Sequence, residues 1–491
     1  MHLTGKDLIS IQQVRDLMEA AKQAQKRLSL MSQEQIDKIV KAICDAGYNN
    51  AEMLAKMANQ ETGFGKWQDK VLKNIFGSKG VYDEIKDQKT VGVVAEYPDK
   101  KIIDIAVPVG IVAGIIPSTN PTSTVLYKTL ITLKGANAIV FSPHPNAKNC
   151  IIETVRLIAE AAKKAGCPDG AIGCIATPTL QATQELMRHK DTAIILATGG
   201  EAMVKAAYSS GNPALGVGPG NGPSFIDKSA NLKLSVKRII DSKTFDNGTI
   251  CASEQSIIIE KAMEEKVIEE FKQQGGYFLS KEESDKLAKF ILRPEGSMNP
   301  AIIGRDALTI AEIAGLNVPA NTKVLIARET RIGYDIPYSR EKLAPILGFY
   351  IESTVDDVLD KSIRILMNEG AGHTFSMHCE DKDLIMKFAE KMPVSRIVVN
   401  TPSALGGIGA TVNIIPALTL GCGAIGGSST SDNVGPMHLI NIKKVGYGVK
   451  EIEDLKKYSN NTASNIFDNN SEQLLDLLVK RILNELKVMN Q

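Results

Sequence analysis

The sequence lacks a hydrophobic run long enough to cross a bilayer. Its longest apolar stretch, residues 105–117, is broken by Pro108, Gly110 and Gly114 and falls short of the ~20 residues a spanning helix needs. Neither sign of charge dominates, since 57 Lys and Arg against 56 Asp and Glu leave a net charge of +1. That balance gives no reason to expect nucleic acid or an acidic membrane as a partner. The seven cysteines, at 44, 150, 167, 174, 251, 379 and 422, are odd in number and scattered, with no CxxC pair. Their spacing argues against a disulfide framework and a zinc site, and no metal is expected. A reducing cytoplasm is the expected compartment. The segment from Met1 to Asp7 does not read as a signal peptide. No internal repeat is found, and the glycine turn at 197–204 does not match GxGxxG.

The 491 residues are 43% hydrophobic and 23% charged, the balance of a soluble globular chain of roughly two to three domains. Residues 10–90 read as helical. Val14, Leu17, Met18 and Ala21 recur at helical spacing, as do Ile36, Ile39, Val40 and Ile43. Ser32 followed by Gln35 reads as a capping box. Near residue 91 the period changes. Residues 91–95 and 101–107 read as two strands joined by a turn at 97–100. From 109 to 227 apolar runs at 111–116, 138–141, 171–176, 193–197 and 223–227 alternate with helical stretches such as 123–133 and 148–164. That alternation predicts an α/β fold with a parallel sheet covered on both faces. A second α/β stretch runs from 245 to 428, with strands at 256–260 and 396–400 and helices at 262–273 and 382–391. Residues 420–435 read as loop. Residues 458–470, rich in Asn and Ser, read as a linker. Beyond it Leu475, Leu478, Val479, Ile482, Leu486 and Met489 make one apolar face of a final helix.

Four segments carry chemistry. Cys251 sits after Asp246-Asn247-Gly248 and before Ser253-Glu254-Gln255-Ser256, a polar setting that is poor for a cysteine filling a dry core. A thiolate there can attack a carbonyl and form a covalent intermediate, given a lowered pKa or an adjacent base. Pro117-Ser118-Thr119-Asn120-Pro121 joins a buried-type strand to a helix, where doubly wound sheets bind ligands. The Asn120 amide can donate to an oxyanion; a plain Asn-Pro turn is the alternative. Thr198-Gly199-Gly200 again joins strand to helix and can meet a pyrophosphate, although a glycine turn needs no ligand. Gly216-Val217-Gly218-Pro219-Gly220-Asn221-Gly222 permits close backbone approach. No Asp or Glu occurs from 211 to 226, so this loop has no carboxylate base of its own.

In order along residues 10–450, these segments resemble the aldehyde dehydrogenase superfamily. Further segments carry the resemblance: Phe141-Ser142-Pro143-His144-Pro145, Glu341-Lys342-Leu343-Ala344-Pro345, Gly372-His373-Thr374 and Ser431-Asp432-Asn433-Val434-Gly435-Pro436. The branch is the CoA-acylating one. It includes the aldehyde dehydrogenase half of aldehyde–alcohol dehydrogenases and the acetaldehyde or propionaldehyde enzymes of bacterial microcompartments.

The resemblance implies a Rossmann-like cofactor domain (residues 1–95 and 108–243), an α/β catalytic domain (244–426) and a small β oligomerisation element (96–107 and 427–449). It implies Cys251 as nucleophile, Asn120 as oxyanion donor and Glu341 on the nicotinamide ribose. Pro117, Ser118, Thr119, Ser142, Pro143, His144, Thr198, Gly199, Gly200 and Gly218 are the other cofactor contacts it implies. Hydrolytic members carry a Glu-Leu-Gly-Gly motif where this chain has Gly216-Val217-Gly218-Pro219, so CoA thiol rather than water becomes the expected acyl acceptor. His373 is read either as an aid to CoA deprotonation or as a loop histidine with a structural hydrogen bond. The resemblance implies NAD as cofactor, with NADP left open by Ser142. Acetaldehyde and propionaldehyde are the leading substrates, and a homodimer or homotetramer is expected. Residues 471–491 read either as a helix packed on its own protein or as an encapsulation peptide for microcompartment shell proteins. A hydrolytic dehydrogenase and an idle, shell-associated scaffold are the rival readings.

Overall fold

A computed structural model describes residues 5–455 and 471–488, with side chains at 473–486 in the last segment. The linker read at 458–470 and Met489 lie outside the described residues. Two compact units emerge. The first is Met1–Gly92 with Ala106–Asn441, and the second is Val93–Ile105 with Ile442–Gln491.

The first unit opens with helices. Lys6–Leu28 and Gln33–Asn49 bury the apolar faces read from the sequence. The Ser32 hydroxyl and the Gln35 side chain form the expected reciprocal cap. Its first sheet contains β3 (Ile111–Ile116), β4 (Ala138–Pro143), β5 (Ile172–Cys174), β6 (Thr192–Ala197) and β7 (Ala214–Gly216). They run parallel in the order β5-β4-β3-β6-β7. Each face is covered, which is why β3 is apolar throughout. Ile111, Ala113 and Ile115 pack with Val14 and Met18, whereas Val112 and Ile116 pack with Leu126 and Ile151. The chain leaves β3 in one direction for β4 and later returns to its other side with β6. The C-terminal ends of β3 and β6 therefore flank the switch point, where open α/β sheets bind ligands.

The second sheet has seven parallel strands in the order β10-β11-β12-β9-β8-β13-β14. They are β8 (Gly222–Ile226), β9 (Glu254–Glu260), β10 (Gly276–Phe278), β11 (Val324–Arg328), β12 (Ile346–Glu352), β13 (Gly372–His378) and β14 (Val394–Val399). This corrects the sequence reading of 223–227, which had been grouped with the first sheet. Strand β8 instead pairs with β9 and β13. An apolar run signals burial but carries no label for its partner. Strand β13 (Gly-His-Thr-Phe-Ser-Met-His) escaped the reading because it is polar in sequence yet buried along its whole length.

The three-stranded sheet consists of β1 (Gly92–Tyr97), β2 (Ile102–Pro108) and β15 (Ile440–Gly446), in the order β1-β2-β15. The turn expected at 97–100 is a short helical turn at Pro98–Lys100, closed by Lys101 at φ 52°. Within the second unit Lys444 Nζ pairs with Asp104 at 2.7 Å. The C-terminal helix spans Ser471–Val488. Leu475, Leu478, Val479, Ile482 and Leu486 on its apolar face are exposed. No helix among the described residues is long and apolar enough to cross a membrane.

Candidate active site

The first sheet presents the C-terminal ends of its strands, and the second presents the N-terminal ends of its own. After β3 the chain turns through Ser118, Thr119 and Asn120 and enters the buried helix Pro121–Lys134. Pro121 at the first helical position fits that start, because its missing N–H would be unpaired there anyway. From the second sheet, the loop before β8 supplies Gly218 and Gly220. The turn before β9 supplies Cys251, the approach to β12 supplies Glu341, and the start of β13 supplies His373.

Between these edges lies a cavity of about 610 Å³. Pro117, Ser142, Pro143, His144, Thr198, Gly199, Gly200 and Glu341 line it, with Pro219, Arg340 and Glu369. Ser118, Thr119 and Gly218 are not among its lining residues. The Ser142 and Thr183 hydroxyls meet at 2.8 Å in its wall. Thr198 Oγ1 is buried there without a hydrogen-bond partner. A side-chain carbon on Gly200 would touch nothing within 4 Å, so the first turn of the helix Glu201–Tyr208 is open. A dinucleotide fits these features: apolar walls, an orphaned hydroxyl, a bare helix start and carboxyl groups in the lining.

Cys251 is half-buried. The turn before it is left-handed. Asp246 and Asn247 both hold positive φ, at 48° and 53°, a region that Asp and Asn tolerate better than other residues with side chains. Asn247 Nδ2 donates to the Gly304 carbonyl at 2.9 Å. Asp246 accepts from Lys66 N at 2.7 Å, from Lys70 Nζ at 2.9 Å and from Lys73 Nζ. On the other side of the cysteine a side-chain carbon on Gly220 would lie 1.9 Å from the Cys251 carbonyl oxygen. Only glycine permits that approach.

The polar segment after Cys251 corrects another expectation. Ser253, Glu254, Gln255 and Ser256 are fully buried, because β9 lies inside the second sheet between β12 and β8. Glu254 and Gln255 are partly paired there, whereas Ser256 Oγ and Glu254 Oε2 have no partner. Ser403 N donates to Glu254 Oε1 at 2.9 Å, and Gln255 Oε1 accepts from Lys243 Nζ and from Lys342 N. Burial still pushes the Glu254 carboxyl up to about 7.

Electrostatics around the thiol run against ionisation. Burial first, and the Glu341 carboxylate second, push the Cys251 thiol up to about 12, with Arg396 opposing them. Glu341 is itself pushed up to about 8, by burial and then by Glu369. Its Oε1 accepts the Gly220 N–H at 2.9 Å. Arg396, nearly buried on β14, donates through Nη2 to the carbonyls of Gly421 and Ser431, while Nη1 is left unpaired. His373 is on a strand rather than in a loop, and it is wholly buried. Its Nδ1 lies 3.0 Å from Thr374 Oγ1, and Nε2 has no partner. Burial, assisted by Arg396, lowers its pKa to about 3, so the ring is neutral over the working range.

Asn120 is tied to the cysteine's turn. Its Nδ2 donates to the Thr249 carbonyl at 3.2 Å and to Thr119 Oγ1 at 3.3 Å, and its Oδ1 accepts from Lys73. Sequence reading missed Lys70, Lys73, Glu369 and Arg396. The i, i+3 pair Lys70 and Lys73 is a visible signal, but charged pairs on a helix usually face water. These two are buried because Asp246 comes from far along the chain to meet them.

Residues 7–277 match the aldehyde dehydrogenase family profile. The chain belongs to the aldehyde dehydrogenase family. It is 45% identical over 441 residues to the aldehyde-alcohol dehydrogenase of Clostridium acetobutylicum, covering 89% of this chain and 51% of the relative. It thus spans about half the length of that curated protein. Among solved structures, a probable aldehyde dehydrogenase from Listeria monocytogenes is 64% identical, with a TM-score of 0.91, covering 92% of this chain and 100% of that one. An acetylating aldehyde dehydrogenase from Geobacillus thermoglucosidasius is 53% identical, with a TM-score of 0.90, covering 91% and 99%.

Proposed function

We propose that this aldehyde dehydrogenase oxidises a short-chain aldehyde, acetaldehyde or propionaldehyde, and passes the acyl group to coenzyme A, reversibly, through a Cys251 thioester. The observation that carries this reading is the environment of Cys251. The glycine loop beside it has no acid of its own, and the carboxyl group brought near, Glu341, is raised to about 8. A protonated carboxyl already bonded to Gly220 N–H is a poor base for water, which favours a thiol as acceptor. The acetylating relative from Geobacillus is in keeping with it.

In this reading the Cys251 thiol gives its proton to water at the site, its sulfur bonds to the aldehyde carbon, and the carbonyl π pair moves onto oxygen. Asn120 Nδ2 and the Cys251 backbone N–H hold that oxyanion. A nicotinamide held along the cavity would supply the two-electron acceptor for the hydride that the aldehyde carbon must lose. The cysteine is left acylated, the CoA sulfur then attacks, and the Cys251 carbon–sulfur bond breaks. His373, neutral and buried, fits the structural role better than that of a base. Pro117, Ser142, Pro143, His144, Thr198, Gly199, Gly200 and Glu341 would hold the dinucleotide along the cavity, with Ser118, Thr119 and Gly218 in the flanking turns. NAD is favoured over NADP. Among the described lining residues the cationic side chain is Arg340, already paired with Glu369 at 2.8 Å, which leaves no free partner for an extra phosphate.

The three-stranded sheet is assigned to association between copies, as a dimer or tetramer. Its outer strand β15 is exposed beyond Ile440, and an uncovered edge invites pairing. The exposed C-terminal helix is assigned to encapsulation by shell proteins. NADH formation measured with and without CoA tests the central claim. CoA-dependent formation of a thioester product is expected. Equal rates without CoA, with free acid as product, or full activity in Cys251→Ala, would sink it.

A further inference from the structure

Asn120 does not sit alone. Lys73 Nζ, on the helix Trp67–Ile75, donates to Asn120 Oδ1 at 2.5 Å, to Thr249 Oγ1 at 2.9 Å and to the Asp246 carboxylate. An ammonium has three protons and no lone pair, so all three are used. Lys70 Nζ shares Asp246 and also donates to the carbonyl of Thr119, the residue before Asn120, at 3.1 Å. Both lysines are only 3% exposed, and Asp246 is fully buried. Gly65 makes room for that carboxylate, since a side-chain carbon there would lie 1.8 Å from Asp246 Oδ1.

We propose that Lys73 is a positioning residue for the oxyanion donor, fixing the Asn120 carboxamide with its oxygen inward and its NH2 toward the turn that carries Cys251. The inference rests on the reading of Asn120 as that donor. A carboxamide can be turned either way, and nothing in its own shape chooses. A group that only donates must face the oxygen. The NH2 is thereby left with two long bonds, to Thr249 O and Thr119 Oγ1, which it can give up to a stronger acceptor. A cation bonded to the amide oxygen also draws density from nitrogen and makes its N–H a better donor. Stability alone is a weak reason for this cluster. Two buried lysines against Asp246 carry a desolvation cost that the ion pair does not reliably offset. The Lys73 ammonium, fixed before reaction and bonded directly to the Asn120 amide oxygen, favours a developing oxyanion at the amide's NH2.

Titration gives a second handle. Lys73 is lowered to about 8, chiefly by burial, and is faced by Asp246 from the turn before Cys251 and by Lys70 and Asp69 from its own helix. The Phe245 ring lies 5.8 Å away. A neutral amine gains a lone pair and no longer dictates the amide's orientation.

The test is a double-mutant cycle on the full chain with acetaldehyde, CoA and NAD, using Lys73→Met, Asn120→Ala and the pair. Lys73→Met should lower kcat/KM for aldehyde by about 10²-fold, the scale of losing one oxyanion donor. In the Asn120→Ala background it should cost less than about threefold. Alkylation of Cys251 by iodoacetamide forms no oxyanion, so its rate should stay within about twofold in Lys73→Met. Equal losses in both backgrounds, or a parallel fall in alkylation, would make Lys73 merely structural and overturn the inference. Near-wild-type turnover in Asn120→Ala would instead overturn the reading of Asn120. Should Lys73→Met not fold, Lys73→Arg decides. Its turnover should persist above pH about 8, where that of wild type declines, and a shared alkaline limb would overturn the proposal.

Discussion

The backbone N–H of Gly220 donates to Glu341 Oε1 at 2.9 Å, joining two residues far apart in the chain beside the turn of Cys251. The glycine loop has no acid of its own from 211 to 226. Folding nevertheless brings a carboxyl group to it, and the site makes that carboxyl a weak acid. Burial and Glu369 raise it to about 8, so near neutrality it is mainly uncharged.

Glu341→Gln should therefore change Cys251 reactivity in a pH-dependent way. Below pH about 8 the wild-type carboxyl is neutral, and iodoacetamide alkylation should match that of the variant. Above it the carboxylate holds the thiol up, and the variant should react faster, on the order of tenfold, as for a shift of one pKa unit. Glu341 also lines the cavity, so KM for NAD should rise at least about tenfold in the same variant.

Gly220→Ala should disable the enzyme. The added carbon would lie 1.9 Å from the Cys251 carbonyl oxygen, and either the loop or the cysteine must move. A displacement of about 1 Å at a reacting group costs on the order of 10²-fold in rate. Turnover and the melting temperature should both fall. A variant with wild-type kcat/KM would contradict the contact.

Acid should destabilise the fold through buried histidine. His378 is buried with both ring nitrogens unpaired, and burial lowers its pKa to about 3. The folded value lies below the unfolded one, so the unfolded chain binds the extra proton between pH about 6.5 and 3. The stability from the neutral ring is complete above 6.5 and is lost as pH falls through that window. His373, also lowered to about 3, adds to the effect. His378→Leu should shrink the loss of stability between pH 7 and pH 5 by on the order of 1–2 kcal/mol, read by chemical denaturation.

Truncation after Tyr458 removes the exposed helix. Turnover and melting temperature should remain within error of the full chain, while co-purification with shell proteins should be lost. A large drop in melting temperature would show that the helix packs on its own protein.

Much of the architecture was legible because apolar residues recur with the period of the element they build. The helix Lys148–Lys164 and the strand Ile111–Ile116 have the bounds that periodicity gave. Short strands such as Ala214–Gly216 carry no period. β13, polar and buried, breaks the rule that burial shows as hydrophobicity. At the site, Pro117, Ser142, Thr198 and Glu341 were legible as motif residues, and they line one cavity. The partners that set their chemistry were not. Arg396, Glu369 and Lys73 stand in ordinary amphipathic contexts, and sequence spacing does not encode a meeting in space.

The sequence by itself determined the helical opening, the alternation that makes a parallel sheet, and a cysteine placed just before a strand and after a turn. Those are local properties, written in neighbours along the chain. Tertiary structure alone decided that Gly222–Ile226 joins the second sheet, that Ser253–Ser256 is buried, and that Glu341 lies beside the glycine loop. It also decided that Lys73 faces Asn120. Each depends on the dielectric and the partners that folding brings from distant segments, and these set a pKa or an amide's orientation where spacing cannot.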